Sequence, residues 1–419
     1  MDMILSQKDS EILRRLFARK MEIANSETNL ARRRDWLALD NGESHRPMVL
    51  AEAGGIHDAV KPSDTWPGSK LECGGEYACS IEWGLRGEIG RFTHLKDDHV
   101  VAPWHTVGWK VKCSGYGVSA KYHTPDNNGH LAARNWDPAL EDLDRDFHRL
   151  KTQTFSVDRG PALRERELLE KTFNGIGPVV FRGGFFWTAG LTGAAIHLIG
   201  LENLMLFMYD NPAGLHRLMA FLRDDMLAYT GWLEAEGLLS LNTHNDYCGS
   251  GSEGHTLRLP PELPEGTVKR KHCWLLSESQ ETVGVGPELF EEFIFPYQLD
   301  IAKEYGLLYY GCCEPVHTRW HVVKKFPNLA RVSVSPWCDE ALVAQGCGGD
   351  IVFSRKPNPT LISTSVFDEN AIRRDLAATL DAARGCRVEF AMKDVHTLHN
   401  EPWRLARWVE IAREVCGSK

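Results

Sequence analysis

The sequence predicts an α/β fold: a single (β/α)8 barrel with an N-terminal helical segment and an insertion that contains a β-hairpin. From about residue 160 onward, short apolar runs of strand length alternate with longer amphipathic segments, a pattern typical of parallel strands joined by helices. Polar clusters also follow several successive strands. A closed barrel gathers such clusters into one ring, whereas an open sheet gathers only those beside a switch point.

The chain begins with a helical pattern and a first strand. Over residues 8–37 apolar side chains such as Ile12 and Leu16 recur every three to four positions among charged neighbours, which predicts an amphipathic helix. Residues 46–52 form an apolar run that ends at a glycine pair. We expect this run to be the first buried strand.

Residues 56–135 differ from the rest of the chain, since they are rich in Gly, Trp, Asp and His and show little helical period. Alternating side chains between residues 107 and 122, with a glycine-rich turn in the middle, predict a β-hairpin. We interpret 56–135 as an insertion into one domain spanning 1–419. It would serve either as a lid that brings Trp83 to the substrate or as a homodimer interface.

Strand and helix signals then alternate to the end of the chain. Strands are predicted at 177–182, 238–242, 273–277, 309–312, 331–335 and 386–392, with one more before Arg355, and helices at 211–236, 287–304 and 400–416. The segment Gly249–Gly254 matches a dinucleotide-binding fingerprint by letter, but prolines rather than a helix follow it. We therefore expect a loop there.

Composition excludes several classes of protein. The hydrophobic content of 43% and charged content of 25% are ordinary for a globular chain. A net charge of -9 argues against a nucleic-acid or anionic-membrane partner. No apolar stretch reaches the roughly 20 residues that span a bilayer, and the first residues lack a signal-peptide pattern. Eleven scattered cysteines predict reduced thiols in the cytoplasm.

The most informative stretch is residues 307–317. An apolar strand breaks at a glycine and is followed by two thiols, a carboxylate and an imidazole: Cys312, Cys313, Glu314 and His317. Thiolate and imidazole are zinc ligands. Because neighbouring side chains diverge, one thiolate with His317 or with a residue from another strand is the realistic ligand set. The alternative interpretation is a buried cysteine beside a polar turn.

Other strand ends supply candidate acids, bases and substrate contacts. We predict Asp246, Glu278 and Lys393 as catalytic groups, because carboxylates and amines at these positions of a barrel face the substrate. For the carboxylates the alternative is pairing with a helix dipole. His396 either faces the same cavity or caps a helix. The predicted substrate contacts are Arg182, Trp187, His244, Glu314, Lys356 and Trp83.

The chain resembles the uroporphyrinogen decarboxylase superfamily, in particular its methyltransferase-like branch. The resemblance covers most of residues 8–416 and rests on Gly184–Phe185, on Leu206–Pro212, and most specifically on Val285–Tyr297. That last segment is similar to the family pattern Ser-Pro-x-x-Phe-x-x-Phe-x-x-Pro-Tyr. The resemblance implies a (β/α)8 barrel that either decarboxylates porphyrinogens without a cofactor or moves methyl groups between a corrinoid protein and a zinc-activated thiol.

Two departures from the family narrow these implications. Ala51–His57 stands where the decarboxylases carry Arg-Gln-Ala-Gly-Arg-Tyr, which argues against porphyrinogen decarboxylation. The His-x-Cys zinc pair of the methyltransferases corresponds to Tyr310–Cys313, where the histidine is missing, and their last zinc cysteine falls near Lys393. A zinc site would have to be rebuilt from other residues, and the candidate ligands are Cys312, Cys313, His396 and His317.

The leading hypothesis is a corrinoid-linked methyltransferase that moves a methyl group between a cobamide and a small-molecule or thiol partner. It implies zinc as a cofactor, methylcobamide as a co-substrate and a corrinoid protein as a partner. The alternative is a cofactor-free decarboxylase or lyase in which Arg182, Lys356 or Lys393 neutralises a substrate carboxylate. A corrinoid or porphyrin carrier is disfavoured, because no Asp-x-His-x-x-Gly motif occurs.

Overall fold

The strands are short, and those of the central sheet are buried on both faces. The computed structural model describes residues 3–44, 46–56, 71–123, 135–260 and 266–417. In chain order, β1 to β14 are Met48–Ala51, His105–Val107, Val111–Cys113, Lys121–His123, Asn135–Asp137, Phe155–Val157, Val179–Phe181, Tyr247–Gly249, Ser252–Glu253, Trp274–Ser277, Leu307–Tyr310, Leu329–Val334, Val352–Arg355 and Val388–Met392.

Six of these strands form a parallel sheet in the order β1–β14–β13–β12–β11–β10. The carboxyl ends of these six strands therefore meet at one edge. A separate parallel pair joins β2 to β7, and antiparallel pairs join β3 to β6, β4 to β5 and β8 to β9. The structure thus confirms a mixed α/β fold with a central parallel sheet and strand-then-helix order.

Several helices pack against this sheet. In chain order, α1 to α15 are Gln7–Ala24, Glu27–Asn41, Glu76–Gly90, Leu143–Asp146, Arg159–Thr172, Thr192–Ile199, Leu201–Asp210, Pro212–Ala235, Pro287–Phe293, Phe295–Ala302, Trp320–Val323, Glu340–Cys347, Thr360–Ser363, Glu369–Ala382 and Trp403–Val415. No helix in the described ranges has both the length and the apolar character needed to cross a membrane.

Local signals explain where several helices begin. The Ser6 hydroxyl accepts the N–H of Asp9 at 3.0 Å, and the Asp9 carboxylate accepts in return, so α1 begins with a capping box. Ser26 caps α2, which divides the helix predicted at 8–37 into two. Pro212 occupies the first turn of α8, where its missing N–H costs nothing.

The structure corrects two predictions for the 56–135 segment. The hairpin predicted between residues 107 and 122 is not formed, because β2 pairs with β7 and β3 pairs with β6. Alternating side chains indicate strands but do not indicate which strands pair. Here the paired strands lie more than 40 residues apart in the sequence. The segment also contains α3, which packs against α1. Residues 57–70 and 124–134 lie outside the described residues.

A buried polar network joins the sheet to α2. Arg331 on β12 is fully buried and forms ion pairs with Asp40 at 3.1 Å and with Glu389 at 3.3 Å. Its guanidinium also donates to the Ser252 hydroxyl at 2.7 Å and to the carbonyl of His255 at 3.0 Å. Such a network is costly to break, since removing one partner leaves a buried charge unpaired.

Candidate active site

The turn after β11 positions the first reactive group. Gly311 has a φ of +97° and donates its N–H to the carbonyl of Ser277 at 2.8 Å. Glu314 is fully buried and accepts the N–H groups of Cys312 at 2.8 Å and Ser279 at 2.9 Å. These bonds tie the turns after β10 and β11 together and hold Cys312 at the carboxyl edge of the sheet.

Cys312 lies in a group of charged and sulfur-containing side chains, here called the thiol cluster: Cys312, Cys313, Lys393 and Asp394. The Cys312 Sγ is 3.5 Å from the Cys313 Sγ and 3.7 Å from the Lys393 Nζ. The hydrogen bond from Cys313 and the Lys393 charge lower the pKa of Cys312 to about 7, although burial opposes them. The contacts therefore assign a thiolate to Cys312 near neutral pH.

Lys393 is held between negative groups. Its Nζ lies 3.1 Å from the Asp394 Oδ2. Burial favours the neutral amine, but the negative charges of Cys312 and Asp394 outweigh it and raise the pKa of Lys393. The ammonium is thus a permanent partner for the thiolate.

A glycine loop and a carboxyl group border the thiol cluster. Glu52 directly follows β1, and burial raises its pKa while the charge of Lys393 acts in the opposite direction. The loop between β8 and β9 passes so close that a Cβ at Gly251 would lie 3.0 Å from the Glu52 Oε1. The Ser250 hydroxyl of this loop favours the Cys312 thiolate by hydrogen bonding.

Glu278, directly after β10, is a buried carboxyl group that retains its proton. Burial and the negative charges of Glu314 and Glu281 raise the pKa of Glu278 to about 9. Its Oε2 accepts the N–H of Gln280 at 2.9 Å, while its buried Oε1 has no hydrogen-bond partner among the described residues. The carboxyl is therefore protonated at neutral pH and is able to donate a proton.

Lys356 lies beneath the cluster rather than in it. Its Nζ is 2.5 Å from the Ser354 Oγ and 5.6 Å from the centre of the Tyr309 ring. Burial lowers the pKa of Lys356 to about 8. The side chain is only 3% exposed, so the Lys356 charge acts on the site from the protein interior and is not open to solvent.

Three predicted residues form a second group at the end of β7. The Nε and Nη2 atoms of Arg182 pair with the Asp246 carboxylate, and Nη2 also donates to the carbonyl of Leu241 at 2.6 Å. His244 packs edge-on against Trp104, and burial, helped by the Arg182 charge, lowers the pKa of His244 to about 4. The predicted base Asp246 is thus engaged in an ion pair, and His244 is neutral.

A cavity lined by aromatic and aliphatic side chains adjoins the second group through Asp246. It has a volume of about 240 Å³, close to the lower end of the range of small-molecule pockets, roughly 300–1,000 Å³. Trp187 and Tyr247 stand at this cavity, with the indole Nε1 3.4 Å from the phenol oxygen. Tyr247 also feels the charges of Glu52, Lys393 and Cys312. Tyr247 is therefore within electrostatic range of the thiol cluster and also lines the cavity.

The predicted zinc ligands are not brought together. Cys312 and Cys313 are adjacent, but the His396 Nδ1 lies 3.4 Å from the carbonyl of Gly55, and His317 lines a different cavity beside Trp320. Across the described ranges, no group of three or more His, Cys, Asp or Glu side chains is arranged to hold a metal ion. An ammonium at the thiolate also competes with a cation, so these residues do not fit zinc.

Two predicted substrate contacts have other surroundings. Glu314 is fully buried and uses both carboxylate oxygens to bind backbone N–H groups, so it organises the turn instead of meeting a substrate. Trp83 lies on α3 with 46% of its surface exposed, on a helix whose main packing is with α1. Nothing in the described contacts joins Trp83 to the thiol cluster.

Four residues of the site are absent from the sequence prediction: Glu52, Tyr247, Ser250 and Asp394. Glu52 follows β1 as closely as Glu278 follows β10, and Asp394 stands two residues beyond β14, so their strand-end positions mark both as candidates in the sequence. Tyr247 and Ser250 come from the loop around β8 and β9. Only the fold shows that this loop turns back over the sheet.

The chain is similar to known proteins in structure and not in sequence. No family model matches the chain, and no curated protein matches it in sequence. In structure it is similar to a methyltransferase from Methanosarcina mazei, with 11% sequence identity and a TM-score of 0.48, over 90% of this chain and 97% of that one.

Proposed function

We propose that the protein is a methyl-transferring enzyme in which the Cys312 thiolate is the nucleophile. The observation that carries the proposal is the Lys393 ammonium 3.7 Å from the Cys312 Sγ at the carboxyl edge of the sheet. A thiolate is a far better nucleophile for an electrophilic carbon than a thiol. The resemblance to the methyltransferase-like branch, which rests most specifically on Val285–Tyr297, supports methyl as the transferred group.

Each residue of the site has a separate role in methyl transfer. The Cys312 Sγ forms a bond to the methyl carbon while the bond to the donor atom breaks, and its electron pair stays with the donor. Lys393 holds the thiolate in place before the transfer, and Glu278 supplies a proton wherever the departing or accepting atom requires one. Trp187 and Tyr247 line the neighbouring cavity.

Methylcobamide is the donor that the resemblance implies, and it would supply an electrophilic methyl group. A cavity of about 240 Å³ is too small to enclose a corrin ring. A cobamide would therefore approach from the open side, where Cys313 and Tyr247 are exposed.

We also propose that the sheet closes into a (β/α)8 barrel, with β2 and β7 as the remaining two strands. Backbone hydrogen bonds near both seams support closure: Asp98 donates to the carbonyl of Val49 at 2.8 Å, and Ala189 donates to that of Leu276 at 2.9 Å. Closure would place the end of β7, with Arg182, on the same ring as the thiol cluster.

The test is a methyl-transfer assay with methylcobalamin, followed by the corrinoid spectrum and by the mass of the Cys312 peptide. The wild-type protein should demethylate the corrinoid and gain one methyl group on Cys312 or pass it to an added thiol. Cys312→Ser should abolish transfer. Cys113→Ser, which changes an exposed cysteine on β3, should not. Equal transfer by wild type and Cys312→Ser would refute the role of the thiolate.

A second function, a cofactor-free decarboxylase or lyase, is favoured by one observation. The protonated Glu278 stands near the Lys393 ammonium, and together they provide a cation to bind a carboxylate and an acid to protonate the carbanion that remains. In that case Glu278→Gln would stop the release of carbon dioxide from a panel of small carboxylic acids, whereas Cys312→Ser would leave it intact. Methyl transfer requires the opposite sensitivity to Cys312→Ser.

A further inference from the structure

The two sulfur atoms of the thiol cluster are close enough to react with each other. The Sγ atoms of Cys312 and Cys313 are 3.5 Å apart without a bond between them. Cys312 is buried and Cys313 is exposed, so one thiol faces the site and its neighbour faces the opening. A nucleophilic cysteine beside a second, accessible cysteine is the arrangement found in redox-sensitive pairs.

The backbone anchors Cys312 on both sides. Its N–H donates to Glu314 at 2.8 Å, and its carbonyl accepts the Ser333 hydroxyl at 2.8 Å. Closing the gap between the sulfurs therefore depends on the exposed side chain of Cys313, which contacts the Asp394 Oδ2 at 3.7 Å. Asp394 is placed to receive the Cys313 proton.

We propose that Cys312 and Cys313 form a reversible disulfide that is a modification site of this protein and removes its nucleophile. The oxidant is hydrogen peroxide. The Cys312 thiolate attacks one peroxide oxygen, so that an S–O bond forms, the O–O bond breaks and hydroxide leaves. The Cys313 sulfur then attacks the Cys312 sulfenic acid, so that the S–S bond forms and the S–O bond breaks. The departing hydroxide takes up the Cys313 proton through Asp394 and leaves as water.

Oxidation of Cys312 itself prepares the second step. The contact with Cys312 is the largest cause that raises the pKa of Cys313. The Cys312 charge raises the pKa of Cys313 as well. A sulfenic acid carries no thiolate charge, so this contribution is lost once Cys312 is oxidised, and Cys313 becomes easier to ionise.

Geometry also indicates why the bond would be reversible. Adjacent Cα atoms are about 3.8 Å apart, shorter than the separation of roughly 4.4–6.8 Å in ordinary disulfides. Strained disulfides are more readily reduced than structural ones. The pair therefore suits a bond that forms under peroxide and opens again with a small thiol.

The test uses the full chain, hydrogen peroxide as the oxidant and dithiothreitol as the reductant. Peptide mass spectrometry should show Cys312 and Cys313 joined within one peptide after mild peroxide treatment, with both thiols recovered on reduction. Cys313→Ser should instead leave a sulfenic or sulfinic acid on Cys312, and Cys113→Ser should form the disulfide as the wild type does. If wild-type Cys312 reaches the sulfinic acid while Cys313 stays a thiol, the inference is overturned.

Only the loss of activity on oxidation rests on the proposed function, because the linked peptide is detected whatever reaction the enzyme catalyses. A disulfide that forms while methyl transfer persists would refute Cys312 as the nucleophile and leave the modification site standing. An absent disulfide with normal methyl transfer would refute the modification site alone.

Discussion

At the residue scale, the chemistry of the site depends on neighbouring groups that shift the pKa values of Cys312 and Glu278 in opposite directions. The Cys312 thiol is acidified by Cys313 and Lys393, whereas burial and nearby carboxylates make Glu278 a weak acid. Near neutral pH the site therefore holds a thiolate and a carboxylic acid together. That combination provides a nucleophile and a proton donor in one place.

Glu278 links the site to stability. Its folded-state pKa of about 9 exceeds the ordinary value of 4.5, so the folded protein binds this proton more tightly than the unfolded chain does. The contribution is fully present below about pH 4.5 and is lost as the pH rises toward 9. We expect Glu278→Gln to flatten the fall in unfolding free energy between pH 6 and about 9, measured by urea denaturation.

Glu288→Gln is the matched control for that measurement, because Glu288 lies exposed in the first turn of α9. It should leave the pH dependence as in the wild type. A wild-type unfolding free energy that does not fall over this range would show that Glu278 is already ionised.

The sequence identified several residues of the site but not their surroundings. Cys312, Cys313, Glu278 and Lys393 are predictable because each stands where an apolar strand ends. The pairing of Asp246 with Arg182 is not predictable, since it joins residues 64 positions apart. The role of Glu314 is hidden for the same reason: only the fold shows that its carboxylate binds the backbone of two different turns.

At the scale of elements, the turn after β11 needs glycine at its first position. Gly311 has a φ of +97°, and a Cβ there would lie 3.2 Å from the Cβ of Ser333. Gly311→Ala should lower the unfolding free energy by about 1–3 kcal/mol, the usual cost of a strained backbone, and should displace Cys312. Denaturant titration measures the first effect, and the rate of Cys312 alkylation measures the second.

Gly84→Ala in α3 provides the comparison, because a Cβ there meets nothing within 4 Å. Alanine is the better helix former, so this change should stabilise the protein by roughly 0.5–1 kcal/mol. If both substitutions have the same effect, the strain argument for Gly311 fails.

Elements with strong local signals were predicted well. The strands of the parallel sheet and the helices α8 and α15 follow from apolar runs and their spacing. The prediction of a hairpin at 107–122 was wrong because strand pairing is decided by contacts between residues distant in sequence, here between β3 and β6. The closed ring remains a proposal, since the sequence and the six hydrogen-bonded strands are both compatible with it.

At the scale of the whole molecule, Arg331 is the point where α2, β12 and β14 are joined. Arg331→Met should lower the unfolding free energy by about 3–5 kcal/mol, because Asp40 and Glu389 would be left buried with less positive charge beside them. The measurement is the denaturant midpoint at neutral pH. Arg384→Met, which removes an exposed pair with Asp381, should change it by less than about 1 kcal/mol. Similar midpoints for the two variants would contradict this role for Arg331.

The most direct test of the central claim is the pH dependence of Cys312 alkylation by iodoacetamide, followed by mass spectrometry of the Cys312 peptide. In the wild type, the rate should rise with a midpoint near pH 7. Lys393→Met should move that midpoint upward by about one to two pH units, while Lys325→Met, a surface lysine paired with Glu291, should not. A wild-type midpoint at the ordinary thiol value of 9.0, or one that Lys393→Met leaves in place, would contradict a thiolate held by Lys393.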